Sequence, residues 1–282
     1  MSQKRSNKFN IDANSLLINN LPFYWRVGNK TIIENIPTRL DFSLYFDSNY
    51  DCARQIVTPL LNESLIQVYK QNENIGYLRQ DNTLAIKYHD DLLKFILNSI
   101  PDISNKNVLE IGCGGCTILN ELKKRNVNVL GIDPSPFALE CANKFNIKII
   151  NEFFDKNLIV DNYDLTYFSD VLEHVNDPMK FLTELSSTLP DGSKIIVAVP
   201  NATIEQEMGD ISMCMHQHIT YFTKKSLQRT FHKAGLHTIN IVSSGYGGSL
   251  YGLAEVNKNS TIKINDSSID NHSEIKEYKY FN

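Results

Sequence analysis

A mostly parallel α/β sheet closed by an antiparallel hairpin is the architecture that this 282-residue chain predicts. Two observations carry it. From residue 107 onward, short apolar runs alternate with helical segments, the rhythm of βαβ units. After residue 200 that rhythm breaks and ends in two β-rich runs joined by Ser243-Ser244-Gly245-Tyr246-Gly247-Gly248, a hairpin signature.

Taken in order, Thr31–Ile33 and Phe42–Phe46 read as short strands and Glu63–Lys70 as a helix, amid Asn- and Asp-rich turns. A helix is expected over Thr83–Leu97, with Leu84, Tyr88, Leu92, Leu93 and Ile96 on one face. Strands are expected at Val108–Ile111, Val127–Ile132, Ile147–Ile150, Asp164–Phe168 and Lys194–Val199. Helices are expected between them at Ile118–Arg125, Pro136–Phe145 and Pro178–Leu189. Residues 201–215 read as a linker, Lys224–Ala234 as a helix, and Thr238–Val242 with Ser249–Val256 as the hairpin. This divides the chain into an appendage or lid (1–80), a main domain (81–256) and a polar tail (257–282), read as the start of a cut-short extension.

Composition narrows the function class. At 42% hydrophobic and 21% charged residues the chain matches an ordinary soluble globular protein. A net charge of −4 gives no basic surplus, which argues against nucleic acid as an obligatory partner. No apolar run approaches a membrane span, and no signal core follows the N-terminus. Five scattered cysteines form no disulfide framework, so a reducing, cytoplasmic setting is expected.

Cys113-Gly114-Gly115-Cys116 is the first stretch with chemistry to weigh. A redox pair also sits between a strand and a helix, but it has no use for the glycines in and around this one. A backbone that must lie close to a ligand does. Asp133 follows the next strand, nineteen positions after Gly114, where an acid accepts hydrogen bonds from ribose hydroxyls. No second cysteine pair completes a zinc site. The cysteines are therefore read as bystanders in a nucleoside-binding loop. A dinucleotide fingerprint fits poorly, because Thr117 stands at its third glycine.

The stretch Glu110-x-Gly112-x-Gly114-x-Cys116 resembles motif I of class I S-adenosylmethionine-dependent methyltransferases, with Cys116 in place of the last glycine. Gly131-Ile132-Asp133-Pro134-Ser135 is similar to the second motif. Tyr163 through Val175, with Ser169-Asp170-Val171-Leu172-Glu173-His174, resembles the motif at the fourth strand, and Leu189-Pro190-Asp191-Gly192-Ser193 the turn before the fifth. The resemblance implies a Rossmann-like fold with a seven-stranded sheet and S-adenosylmethionine as cofactor. It implies Glu110, Gly112, Cys113, Gly114, Asp133, Pro134, Phe153, Ser169, Asp170 and Val171 as residues around that cofactor. Phe153 and Phe154 stand where an aromatic would stack on adenine.

Downstream, His216-x-His218-x-x-Tyr221-Phe222-Thr223-x-x-Ser226-Leu227 and Gly247-Gly248-Ser249-Leu250 resemble segments of bacterial sugar methyltransferases. Tyr246 replaces a histidine of that pattern, and only Cys52 remains where those enzymes carry an N-terminal zinc module. The resemblance implies a small hydroxylated acceptor, foremost a nucleotide-linked or glycan sugar, with oxygen favoured over carbon, and it leaves room for a homodimer. The alternatives are a quinone or other small-molecule O-methyltransferase and a catalytically silent binding subunit.

Methyl transfer to a hydroxyl calls for a general base, for which histidine is suited. Three histidines qualify by position: His218, His216 and His174. His218 is preferred as nearer Tyr221, and His174 is weighed as a cofactor-shell residue. In an extended chain His216 and His218 would share a face with Cys214, but no metal is assigned. His89 is expected on the surface or in a lid.

Overall fold

The computed structural model describes residues 15–23, 36–71, 83–210 and 213–258. The strand expected at residues 31–33 and most of the tail, from residue 259, lie outside the described residues.

Among the described residues, ten strands form two sheets. β1 (Ser15–Pro22), β2 (Arg39–Asp47) and β3 (Cys52–Gln55) make a small antiparallel sheet. Helices α1 (Pro59–Gln71) and α2 (Thr83–Ser99) follow. The main sheet contains β4 (Asn107–Ile111), β5 (Asn128–Ile132), β6 (Ile149–Ile150), β7 (Leu165–Ser169), β8 (Lys194–Pro200), β9 (Leu236–Ser243) and β10 (Ser249–Val256). Its spatial order is β6-β5-β4-β7-β8-β10-β9, with β4 through β8 parallel and β10 antiparallel to both neighbours. Helices α3 (Thr117–Lys123), α4 (Pro136–Phe145) and α5 (Pro178–Thr188) make the crossovers, and α7 (Lys224–Lys233) precedes the hairpin. The parallel sheet and its closing hairpin are thus as the sequence predicts.

Period-two alternation decides the layers. On β8, Ile195, Val197 and Val199 enter one core with Phe181, Leu182 and Leu185 of α5 and Leu227 and Phe231 of α7. Ile196 and Ala198 face the opposite core, with Leu92 and Ile96 of α2 and Leu119 and Leu122 of α3. A sheet covered on both faces explains why its strands read as continuous apolar runs. Capping sets the helix starts: Ser135 accepts from Ala138 and Asp177 from Lys180, each ahead of a proline in the first turn, and Thr223 with Ser226 forms a reciprocal cap on α7.

The small sheet docks on the segment after β8 rather than on the main cores. Phe42, Leu44 and Ala53 pack with Ala202, Met213 and Tyr221, while Phe23, Leu61, Leu65 and Val68 surround Ile219. Backbone bonds seal the seam: Gln55 N–H donates to Ile219 and Tyr221 N–H to Ala53.

Three expectations need correction. Residues 201–215 are not a plain linker, since α6 (Ala202–Met208) forms there, capped by Asn201 and ended by Gly209 in a left-handed conformation. β6 keeps only two of its four expected residues, because Asn146 at φ 53° turns the chain and Ile147 N–H donates to Ala142 at the end of α4. His89 is buried on α2 rather than exposed.

Candidate active site

The order of strands reverses between β4 and β7, which opens a crevice at their carboxyl ends. The loop 112–116 and residues 169–174 line it. Gly112 has φ +74°, and a Cβ there would lie 2.5 Å from Val171 Cγ2. Its glycine is therefore required by contact between the two motifs as well as by backbone conformation. Cys116, at φ 53°, starts α3 in the left-handed region, which explains why a glycine suits that position.

Both loop cysteines point into the apolar core, with their sulfurs 3.9 Å apart. Their contact and burial push the Cys113 thiol well above its ordinary range. An inert, buried pair is consistent with bystanders.

Asp133, 5% exposed, accepts from Gly114 N–H at 2.9 Å, Ser135 N–H at 2.8 Å and Ser135 Oγ at 2.6 Å. Its carboxylate staples the glycine loop to the β5–α4 turn, where Pro134 is half-buried. Glu110 lies beneath the loop, where burial raises its carboxyl well above the usual range, and its Oε2 lacks a protein partner. Phe153 remains partly exposed with Lys70 Nζ 5.9 Å from its ring, whereas Phe154 packs on Phe181 and belongs to the core. The glycine loop, a buried carboxyl oxygen without a partner among the described residues and a partly exposed aromatic ring suit an amino-acid-bearing nucleoside.

Asp170 sits at φ +53° directly after β7 and accepts from Tyr88 on α2 at 2.9 Å, while Tyr88 also bonds Ser169. Burial lifts the Asp170 carboxyl to about 6. Tyr246, from the hairpin turn, stands edge-on to Tyr88 at 5.2 Å. Three separate elements therefore meet at this rim.

Beyond the rim lies a second cluster. The turn Leu172–His174 presents Glu173 and His174, and the segment after α6 presents His218. The rings of His174 and His218 are 5.0 Å apart. Gln217 O accepts from His174 Nδ1 at 2.8 Å, so the neutral ring carries its proton there and leaves Nε2 as an acceptor. Nε2 lies 3.7 Å from Glu173 Oε1. Burial lowers His174 to about 4 and His218 to about 3, so both rings are neutral. Burial raises the Glu173 carboxyl well above its usual range, and neither of its oxygens has a hydrogen-bond partner.

His216 does not join this cluster. The chain turns at 216–217, so the alternation of an extended segment fails, and the His216 ring sits between Phe23 at 5.2 Å and Phe42 at 5.7 Å. Its Nε2 faces Leu40 O at 3.3 Å. Gln55 Nε2 holds the turn by donating to the carbonyls of both His216 and His218. Cys214 likewise does not share a ligand set with the two histidines.

Sequence reasoning missed Tyr69, Tyr88, Glu173 as an unpaired carboxyl, and Glu205 with Gln206 on α6. Tyr69 lies 5.9 Å from His174 with the rings tilted by 59°, and its hydroxyl has no partner among the described residues. Burial lifts Glu205 to about 7, and Glu205 Oε2 and both Gln206 amide atoms are also unpartnered. The Asn201 cap, the helix-forming run behind it and Gly209 were the signal for α6.

A family model for a methyltransferase domain matches residues 77–241. The mitochondrial ubiquinone biosynthesis O-methyltransferase of Schizosaccharomyces pombe is 25% identical over 122 residues, 40% of this chain and 44% of that protein. The ubiquinone biosynthesis O-methyltransferase of Nitrosomonas europaea is 23% identical over 193 residues, 62% of this chain and 79% of that protein. Among solved structures, the magnesium protoporphyrin IX methyltransferase from Synechocystis, with S-adenosylhomocysteine bound, aligns at TM-score 0.53 and 14% identity, covering 68% of this chain and 99% of that one. A SAM-dependent methyltransferase from Aquifex aeolicus aligns at TM-score 0.50 and 18% identity, covering 62% and 94%. With the glycine loop, the reversed strand order and a family match over more than half its length, the chain belongs to the S-adenosylmethionine-dependent methyltransferases of class I.

Proposed function

We propose that the protein transfers a methyl group to a hydroxyl of a small acceptor held at the Glu173–His174–His218 corner. The observation that carries this is a buried corner in which a carboxyl without a partner faces two neutral imidazoles, beside the motif residues of the cofactor crevice. S-adenosylmethionine supplies an electrophilic methyl on a sulfonium. Glu110, the 112–116 loop, Asp133, Phe153 and Ser169–Val171 would hold it. Alignment of the reacting atoms can be worth about 7–11 kcal/mol, so positioning is the larger part of the task.

A hydroxyl must also shed its proton, and His218 and His174 are the groups placed to ionise it. Their neutrality keeps lone pairs available, which a surface histidine near pH 6 would lose in part. Tyr69 and Tyr221 add aromatic surface beside them, with Tyr221 6.3 Å from His218. A hydroxylated aromatic ring is the acceptor class we favour, supported by these rings and by the O-methyltransferase names of the relatives. A sugar acceptor is the second reading, on the His216–Leu227 and Gly247–Leu250 resemblances. Helix α1 would then act as part of the roof, since it contributes Tyr69.

Incubating the protein with methyl-labelled S-adenosylmethionine and two panels, catechols and nucleotide sugars, tests the reading. Label on a catechol oxygen, located by NMR, is the expected result. Label on a sugar selects the second reading, and label on neither panel, with cofactor bound, removes both.

A further inference from the structure

We propose that Glu173, His174 and His218 bind a divalent transition-metal cation of the zinc class. One donor atom from each lies within 4.8 Å of the other two. Zinc–nitrogen and zinc–oxygen bonds are about 2.0–2.2 Å, so tetrahedral ligands on one ion stand about 3.3–3.6 Å apart, and the donors must close by roughly 1 Å through side-chain rotation.

Three further features point to a cation. Glu173 is 1% exposed, and both its carboxyl oxygens lack any partner among the described residues. His174 turns an acceptor nitrogen, Nε2, toward one of those oxygens at 3.7 Å, too far for a hydrogen bond, so both atoms keep a lone pair free for a shared cation, whose binding would release any proton the carboxyl holds. His174 Nδ1–H is anchored on the Gln217 carbonyl, the arrangement that fixes the ring of a metal-binding histidine and leaves the other nitrogen free. Two imidazoles and one carboxylate select zinc or a similar ion over magnesium, which prefers oxygen ligands and retained waters. Three protein donors also leave a coordination position open. Binding of the ion stands apart from the methyl-transfer reading. Its role rests on that reading: with the ion bound, the lone pairs of His174 and His218 are used in holding the cation, and the ion at its open position takes over from the two rings the task of acidifying the acceptor's hydroxyl.

The test uses the untagged full chain, freed of metal by chelator and titrated with Zn²⁺ at neutral pH, with Co²⁺ as a visible-absorption reporter. One equivalent is expected to bind, with a Co²⁺ spectrum of low-symmetry form, and millimolar Mg²⁺ is expected not to displace it. Glu173→Gln and His218→Gln should each weaken binding by more than the ~10–100-fold that loss of an outer hydrogen-bond partner costs. His216→Gln, and Cys113→Ala with Cys116→Ala, should leave it unchanged, and melting curves identify which variants are folded. The proposal is overturned by absence of a one-to-one site, by binding that survives both ligand variants, or by binding that disappears with the cysteines. Tight zinc binding without methyl transfer to any acceptor would leave the site standing and remove the reaction assigned to it.

Discussion

Gly112 joins two motifs through the side chain it lacks. Its φ of +74° costs an L-residue about 1–2 kcal/mol, and the added Cβ would meet Val171 Cγ2 at 2.5 Å. Gly112→Ala should weaken S-adenosylhomocysteine binding at least about tenfold, since ~1.4 kcal/mol is one decade. Adding Val171→Ala should restore only part, because it relieves the clash and not the dihedral. Calorimetric affinities for the two variants decide this, and full restoration would show that the backbone conformation carries no cost. The cysteines make the opposite case. Cys113→Ala with Cys116→Gly should keep cofactor affinity, and the wild-type melting temperature should be the same with and without reductant. A reductant-dependent melt would contradict the inert pair seen in the core. At this scale the sequence was informative where a motif fixes a backbone shape, at Gly112, Gly114 and Cys116. It was silent on Glu173, because the absence of a partner is a property of the surrounding fold.

At the scale of elements, the docking of the small sheet rests on Arg54. From β3 it donates to Asp47 at 3.0 Å, to Thr220 Oγ1 at 3.2 Å and to the Asn176 carbonyl at 2.5 Å, and its guanidinium lies 4.2 Å from the Tyr50 ring centre. It is 9% exposed, so it bonds away from most solvent screening. Arg54→Met keeps the stem's packing and removes these bonds. Hydrogen bonds to charged groups contribute about 1.5–3 kcal/mol, so unfolding free energy should fall by about 2–3 kcal/mol. Urea denaturation reads the loss, and faster proteolysis within residues 15–58 than in the main domain would locate it. A change below about 0.5 kcal/mol would show that the apolar contacts alone hold the sheet. The strands and helices of the main sheet were legible because a sheet buried on both faces writes its strands as apolar runs. The small sheet was only half legible. β2 shows in its aromatics, whereas Cys-Ala-Arg-Gln of β3 has no strand pattern and is fixed by pairing with β2 and the bridge from Arg54 to Thr220. The His216–His218 alternation failed for the same kind of reason, since a turn held from outside by Gln55 overrode local periodicity.

Across the whole molecule, two centres are built from different parts of the chain. The cofactor crevice belongs to β4, β5 and β7 and their loops, while the Glu173–His174–His218 corner brings together the turn after β7, the segment after α6 and Tyr69 of α1. They touch through the short turn 170–174, so binding and turnover should separate by mutation. Asp133→Ala removes the hydrogen bond that ties the glycine loop to the β5–α4 turn, together with two from Ser135, and should weaken S-adenosylhomocysteine roughly tenfold or more, at about 1.5–3 kcal/mol for charge-assisted bonds. His218→Gln changes a ring that meets His174 and Tyr221. It should cut turnover about 10²–10⁴-fold while cofactor affinity stays within about twofold, because loss of a proton-handling group acts on the chemical step. His216→Gln serves as the contrast: its ring lies between Phe23 and Phe42, and its loss should lower the melting temperature more than the rate constant. Single-turnover rates with saturating cofactor, alongside calorimetric affinities, distinguish these outcomes. Equal losses of rate in His216→Gln and His218→Gln would mean that the segment acts only as a scaffold, and an intact rate in His218→Gln would move proton handling out of the corner altogether.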